Sequence, residues 1–144
     1  EARFNLGILE EIVEDDRAQL EKVESYLEQI ETSGVEEDFD YSAGISLYPL
    51  KNVAMETLAL SGNISNLDQE FLEEAAFLKS LVDTDNAYRS SIIPVIVSTV
   101  RGDVEEGLRT RREILSDHIS NCSYYADMHK SFLKEYGVSD ELPK

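Results

Sequence analysis

His118 and Cys122 stand four residues apart, so on a helix both fall on one face, with His129 further along it. An imidazole nitrogen and a thiolate sulfur form a donor pair that zinc-like ions accept. Ligation needs at least one more donor, for which Asp85 is the candidate. The same spacing also suits a half-buried helical face made of small and amphipathic residues, which is the commoner use of such positions. A second set overlaps the first. Asp16, Asp85, Arg111 and His118 interrupt helical stripes that are otherwise apolar. Because an unpaired buried charge is costly, these four either meet as an interior polar layer or lie at the wet edge of the stripes. A paired layer would fix the register between helices, as single polar residues do in coiled coils, and sensing of a proton or ligand would be a further use of it.

The chain has no glycine-rich phosphate loop, no CxxC pair and no HExxH, and neither histidine is preceded at three residues by a glutamate. No catalytic residue, cofactor or metal is therefore assigned, and the expectation is a protein that is not an enzyme. Thirty acids against 13 bases give a net charge of -17, which would repel phosphates and argues against nucleic acid as a partner. Only the neighbourhood of Arg101 to Arg112 is locally basic. The lone Cys122 can form no intramolecular disulfide, and no apolar stretch reaches the ~18 residues of a membrane span. Arg101-Gly102-Asp103 reads as a glycine turn ahead of an N-cap, and an adhesion role for it is discounted.

The elements that must position these residues are helices. From Leu6 to Ile30 the apolar residues Leu6, Leu9, Val13, Leu20, Val23, Leu27 and Ile30 keep a heptad seam, broken at Asp16, over roughly 36 Å of helix. The intervening glutamates form a solvated face, so this helix is stable only with its stripe laid against others. Gly34 ends it. Residues 35–47 read as a long loop, and Pro49 as the first turn of a short helix over 49–61. Asn66 offers an N-cap for a third helix, in which Pro94 predicts a kink, with an end near Ser91 as the rival reading. Asp103 and Glu106 form a variant capping box for a last helix ending at Gly137. The expected fold is all-α: one domain over 1–144, a bundle of three long helices (about 3–32, 67–100 and 103–136) plus the short one. Its tail, 137–144, is expected to be loosely ordered.

The stretch Leu50 to Arg89, following a long amphipathic helix and an acidic loop, resembles a class of uncharacterised helical domains that follow an N-terminal membrane anchor in bacterial and archaeal proteins. The carriers are Ser61, Gly62, Ile64, Leu67, Asn86 and Tyr88, and the likeness covers roughly residues 1–95. It implies a soluble, extracytoplasmic part of a membrane-anchored protein, touching the membrane only through a segment absent from this chain. The start at Glu1, with the seam running a few residues later and no clear N-cap before it, fits either a removed anchor or signal segment or a trimmed tail. The expected function is a non-catalytic helical sensing or protein-interaction module, with a protein partner or self-association. The alternative is a bundle that binds a small molecule or metal through its interior polar layer.

Overall fold

The computed structural model describes residues 1–37, 41, 43–54, 57, 61 and 63–137. Three long α-helices carry the fold: α1 (Ala2–Ser33), α2 (Gln69–Thr99) and α3 (Val104–Tyr136), with a single 3-10 turn at Asn63–Asn66 and no strand among the described residues. The protein is all-α. α3 runs antiparallel to both other helices. Its contacts with α1 pair Lys130 with Glu10 and His118 with Asp16. Against α2, Phe132 and Tyr136 meet Phe71 at one end, and Arg111 meets Thr99 at the other.

Local chemistry explains the helix ends. Gly34 takes a positive φ of 78° and its N–H closes on the Ile30 carbonyl, a conformation that costs a glycine nothing. Asp103 accepts from the Glu106 N–H at the start of α3, as expected. α2 begins later than expected: Asp68, not Asn66, is its N-cap, accepting from the amides of Glu70 and Phe71. α2 then runs through Pro94 to Thr99, so the rival end near Ser91 is set aside. Pro94 is exposed, and in the turn before it the hydroxyls of Ser90 and Ser91 bond back to the carbonyls of Asn86 and Tyr88. The turn into α3 is tight. A Cβ on Gly107 would sit 2.9 Å from the Thr99 carbonyl oxygen, so the two helices touch there through backbone.

Between α1 and α2 the segment 43–52 is extended and packs along the bundle. The short helix expected over 49–61 is not matched. Pro49 to Asn52 continue this segment, and the described helical residues there are 53, 54 and 57, with 55, 56 and 58–60 outside the described residues. Nor is the expected loop over 35–47 free at its far end. Gly44 bonds to Gln19, Ser46 to Asp16 and Lys51 to Asn5, so seven steps along the segment match the run of α1 from Gln19 back to Asn5. That run is about 21 Å of helix, or about 3 Å per residue of the segment, close to the rise of an extended chain. This strap runs antiparallel to α1 and α2 and takes the place of a fourth stave.

The strap accompanies a partial departure of α1 from the seam expected of it: Leu9, Asp16, Val23, Leu27 and Ile30 are buried as that seam requires, but Asn5 and Ile12 are buried beside them. Leu6, Val13 and Leu20 are only half-buried. In the first half of the helix the face is turned so that Asn5 and Asp16 meet the strap. The core has two parts. Leu9, Ile12, Leu78, Leu81, Val82, Tyr125 and Ala126 gather at one end with Leu50 of the strap, and Val23, Leu27, Ile30, Leu108 and Leu115 at the other. Between them lies a polar waist. The loosely ordered tail expected over 137–144 falls, beyond Gly137, outside the described residues.

Candidate functional site

Helical periodicity brings Asp16 of α1, Asp85 of α2 and His118 of α3 to one level of the bundle. Asp16 follows Ile12 and Val13, Asp85 follows Leu81 and Val82, and His118 follows Ile114 and Leu115 at four and three residues, so each is carried inward by those neighbours. Asp16 and His118 are wholly buried, and Asp85 is 1% exposed. His118 Nδ1 lies 2.6 Å from Asp16 Oδ2, and its Nε2 lies 3.5 Å from Asp85 Oδ1. Arg89, one turn beyond Asp85, is 4% exposed, with its Nε and Nη2 both 2.5 Å from Asp85 Oδ2. Four formal charges thus alternate in sign along Asp16, His118, Asp85 and Arg89.

The electrostatics follow from that order. Burial alone would strip His118 of its proton, but hydrogen bonds with Asp16, Asp85 and Cys122 outweigh it, and its pKa is pushed up to about 11. Burial likewise works to raise the Asp85 pKa, yet the bond to His118 and the Arg89 guanidinium hold it below the usual carboxylate range. Burial pushes the Cys122 thiol up. Its S–H donates to Asp85 Oδ1 at 3.6 Å, and the Tyr88 ring stacks on the His118 ring at 5.7 Å between centroids.

Of the four residues expected to form the layer, Asp16, Asp85 and His118 are brought together and Arg111 is not. Arg111 is half-buried nearer the turn end of α3, where its Nε donates to Thr99 Oγ1 and its Nη1 to the Ala43 carbonyl. It shares the face of His118 by periodicity, but sits two turns away, level with the start of the strap. Arg89 fills the role instead. The signal for it was the four-residue spacing from Asp85, which places an acid and a base on one helical face.

Other polar residues hold the strap by its backbone. Asn5 donates to the Lys51 carbonyl and accepts from its amide, and Asn86 does the same for Leu50. Asp16 Oδ1 accepts from the Ser46 amide at 2.8 Å, and Arg89 Nη1 donates to the Tyr48 carbonyl. The two outer members of the charge network therefore double as strap anchors.

No family model, curated protein or solved structure matches this chain. Two groups of side chains among those described could gather on a cation: the buried Asp85, His118 and Cys122, whose donor atoms all lie within 4.8 Å of one another, and Glu70, Glu74 and Glu135 near the surface. The Nε2 of His118 is buried, and the Asp85 Oδ1 opposite it at 3.5 Å is at the long limit for a hydrogen bond. His129, on the same face of α3, is buried in different company: its Nδ1–H donates to the Tyr125 carbonyl at 2.8 Å, and burial holds its pKa below the ordinary value.

Proposed function

We propose that this chain is a non-catalytic sensing module in which a buried charge network governs how firmly an extended strap is held, and that a protein partner reads the strap. The observation that carries this reading is the double use of Asp16 and Arg89. Each completes the network around His118 and Asp85, and each also bonds the backbone of the strap, at Ser46 and Tyr48. Any event that redistributes charge at His118 or Asp85 must therefore act on the two anchors. Leu47 and Tyr48 between them are exposed, 41% and 44%, and are what a partner would meet. The network groups pair with one another in a closed interior, which favours a structural or ligand-gated role over turnover. Among the described residues no helix is long and apolar enough to cross a membrane, so the membrane attachment included in this reading would need a segment outside this chain, and it rests on the family resemblance.

Hydrogen–deuterium exchange on the Asp85→Asn variant tests the coupling, because Asp85 touches the network but not the strap. The expected result is exchange at least tenfold faster at the amides of Ser46, Leu50 and Lys51, with the middle of α1 and α3 protected as before. Unchanged protection of the strap would remove the reading.

A further inference from the structure

Asp85, His118 and Cys122 present a carboxylate oxygen, an imidazole nitrogen and a sulfur to one point from two helices, and all three are buried. We propose that they form a binding site for a thiophilic divalent transition-metal ion of the zinc class. The inference goes beyond the sensing reading and does not need it: an ion could bind here whether or not the strap responds.

Three observations support it. The first is spacing. With Zn–N about 2.0 Å, Zn–O about 2.1 Å and Zn–S about 2.3 Å, tetrahedral angles put nitrogen and oxygen about 3.4 Å apart, and sulfur and oxygen about 3.6 Å. Nε2 of His118 lies 3.5 Å from Oδ1 of Asp85, and Sγ of Cys122 lies 3.6 Å from the same oxygen. Asp85 Oδ1 thus already stands at a ligand separation from each of the other two donors, and all three lie within 4.8 Å of one another. The second is a poorly satisfied atom. Nε2 of His118 faces this group, is buried, and has only Asp85 Oδ1 opposite it at 3.5 Å, beyond ordinary N–H···O lengths, whereas a structural histidine at such a position normally satisfies both ring nitrogens closely.

The third is the surrounding shell. Metal-bound histidines as a rule offer their other nitrogen to a carboxylate or carbonyl, and metal-bound carboxylates are hydrogen-bonded in turn. Here Nδ1 of His118 is held by Asp16 at 2.6 Å, and Oδ2 of Asp85 by Arg89 at 2.5 Å, leaving Nε2 and Oδ1 for the ion. Charge also balances. The metal-free layer holds two carboxylates, an imidazolium, a guanidinium and a thiol. Binding one divalent ion releases one proton from His118 and one from Cys122, so the net buried charge is the same before and after. The mixture of sulfur, nitrogen and a single oxygen selects against calcium and magnesium, which take oxygen donors.

The test is titration of the whole chain with Co²⁺ as a spectroscopic probe, both on folded protein and on protein refolded with the ion so that slow entry cannot hide binding. The expected result is one Co²⁺ per chain, with tetrahedral ligand-field bands and a sulfur-to-metal charge-transfer band, both erased by Zn²⁺. Cys122→Ser, a near-isosteric change, should abolish the charge-transfer band. Asp16→Asn should keep it but weaken Zn²⁺ affinity about 10- to 100-fold, as loss of an orienting carboxylate does. Absence of the charge-transfer band in the wild-type chain by both routes overturns the site, as does a band that survives Cys122→Ser. Binding without that band would point to the Glu70, Glu74 and Glu135 group and equally overturn it. Should the ion bind as expected while strap exchange stays unchanged, the site stands and the sensing reading falls.

Discussion

His118 and His129 lie on one face of α3, about three turns apart and both buried, yet they carry opposite charge states. His118 sits between two carboxylates and is a cation up to strongly alkaline pH. His129 has a backbone carbonyl for its Nδ1–H, and burial holds its pKa below the ordinary value. Burial by itself does not decide a histidine's charge. What decides is whether the neighbouring helices bring acids to the same level, and in this bundle they do so at the waist and not at the end.

The hardest way to break that contrast is to remove the acid. Asp85→Ala leaves two buried cations facing each other across a gap, and the expected loss is about 3–5 kcal/mol in urea denaturation. A double-mutant cycle should find strong coupling between Asp85 and Arg89, and near-additive losses, within about 0.5 kcal/mol, between Asp85 and Arg111. Coupling of the opposite pattern would restore Arg111 to the layer.

The pH dependence separates the two histidines by sign. The folded-state pKa of His118 lies above its unfolded value of about 6.5, so in chelator-treated protein its contribution is fully present below that pH and is lost as pH rises toward about 11. For His129 the folded pKa lies below the unfolded one, so its contribution is present above about pH 6.5 and lost as pH falls through the folded value. Urea midpoints measured across pH should decline on the alkaline side in wild type and lose that slope in His118→Gln. His129→Gln should flatten only the acid side. Ring-proton NMR of His118 showing a neutral imidazole at pH 8 would contradict the assignment.

The smallest effect sharpens the comparison from outside. Lys130, beside His129 in sequence, pairs with Glu10 across α1 and α3 at 2.9 Å, but both side chains are about half exposed. Lys130→Ala should move the urea midpoint least of all these variants, and less still at high salt, because water screens what the interior does not. Chemistry similar to that of the waist is worth far less where solvent competes.

The helices were legible because their signals are local. Heptad spacing, Gly34, Asp103 and Gly137 set bounds within a residue or two of those observed. Asp16, Asp85 and His118 were legible as interruptions of a stripe. Arg89 was not, because a long basic side chain near a helix surface ordinarily reaches water, and only the buried Asp85 one turn earlier turns it inward. The strap was hidden for a different reason. Asn5 binds Lys51 across a separation of 46 residues, and nothing in the pattern of 43–52 itself encodes that partner. The same distance explains Asn5: a polar residue on the buried face reads as an error of register until the chain it holds is in place.

One consequence of the strap concerns what its groove can distinguish. Asn5, Asp16, Asn86 and Arg89 grip amides and carbonyls, which every peptide shares, while Leu50 is buried in one core and Ala43 and Ile45 pack against the other. The groove is therefore nearly blind to sequence over Leu47 to Pro49. Those positions are free to be redesigned without loosening the fold, while apolar side chains at either end of the segment set its alignment. A channel that recognises main chain, with apolar notches at its two ends to fix phase, treats its own strap as it would any extended polypeptide with the same spacing of apolar residues.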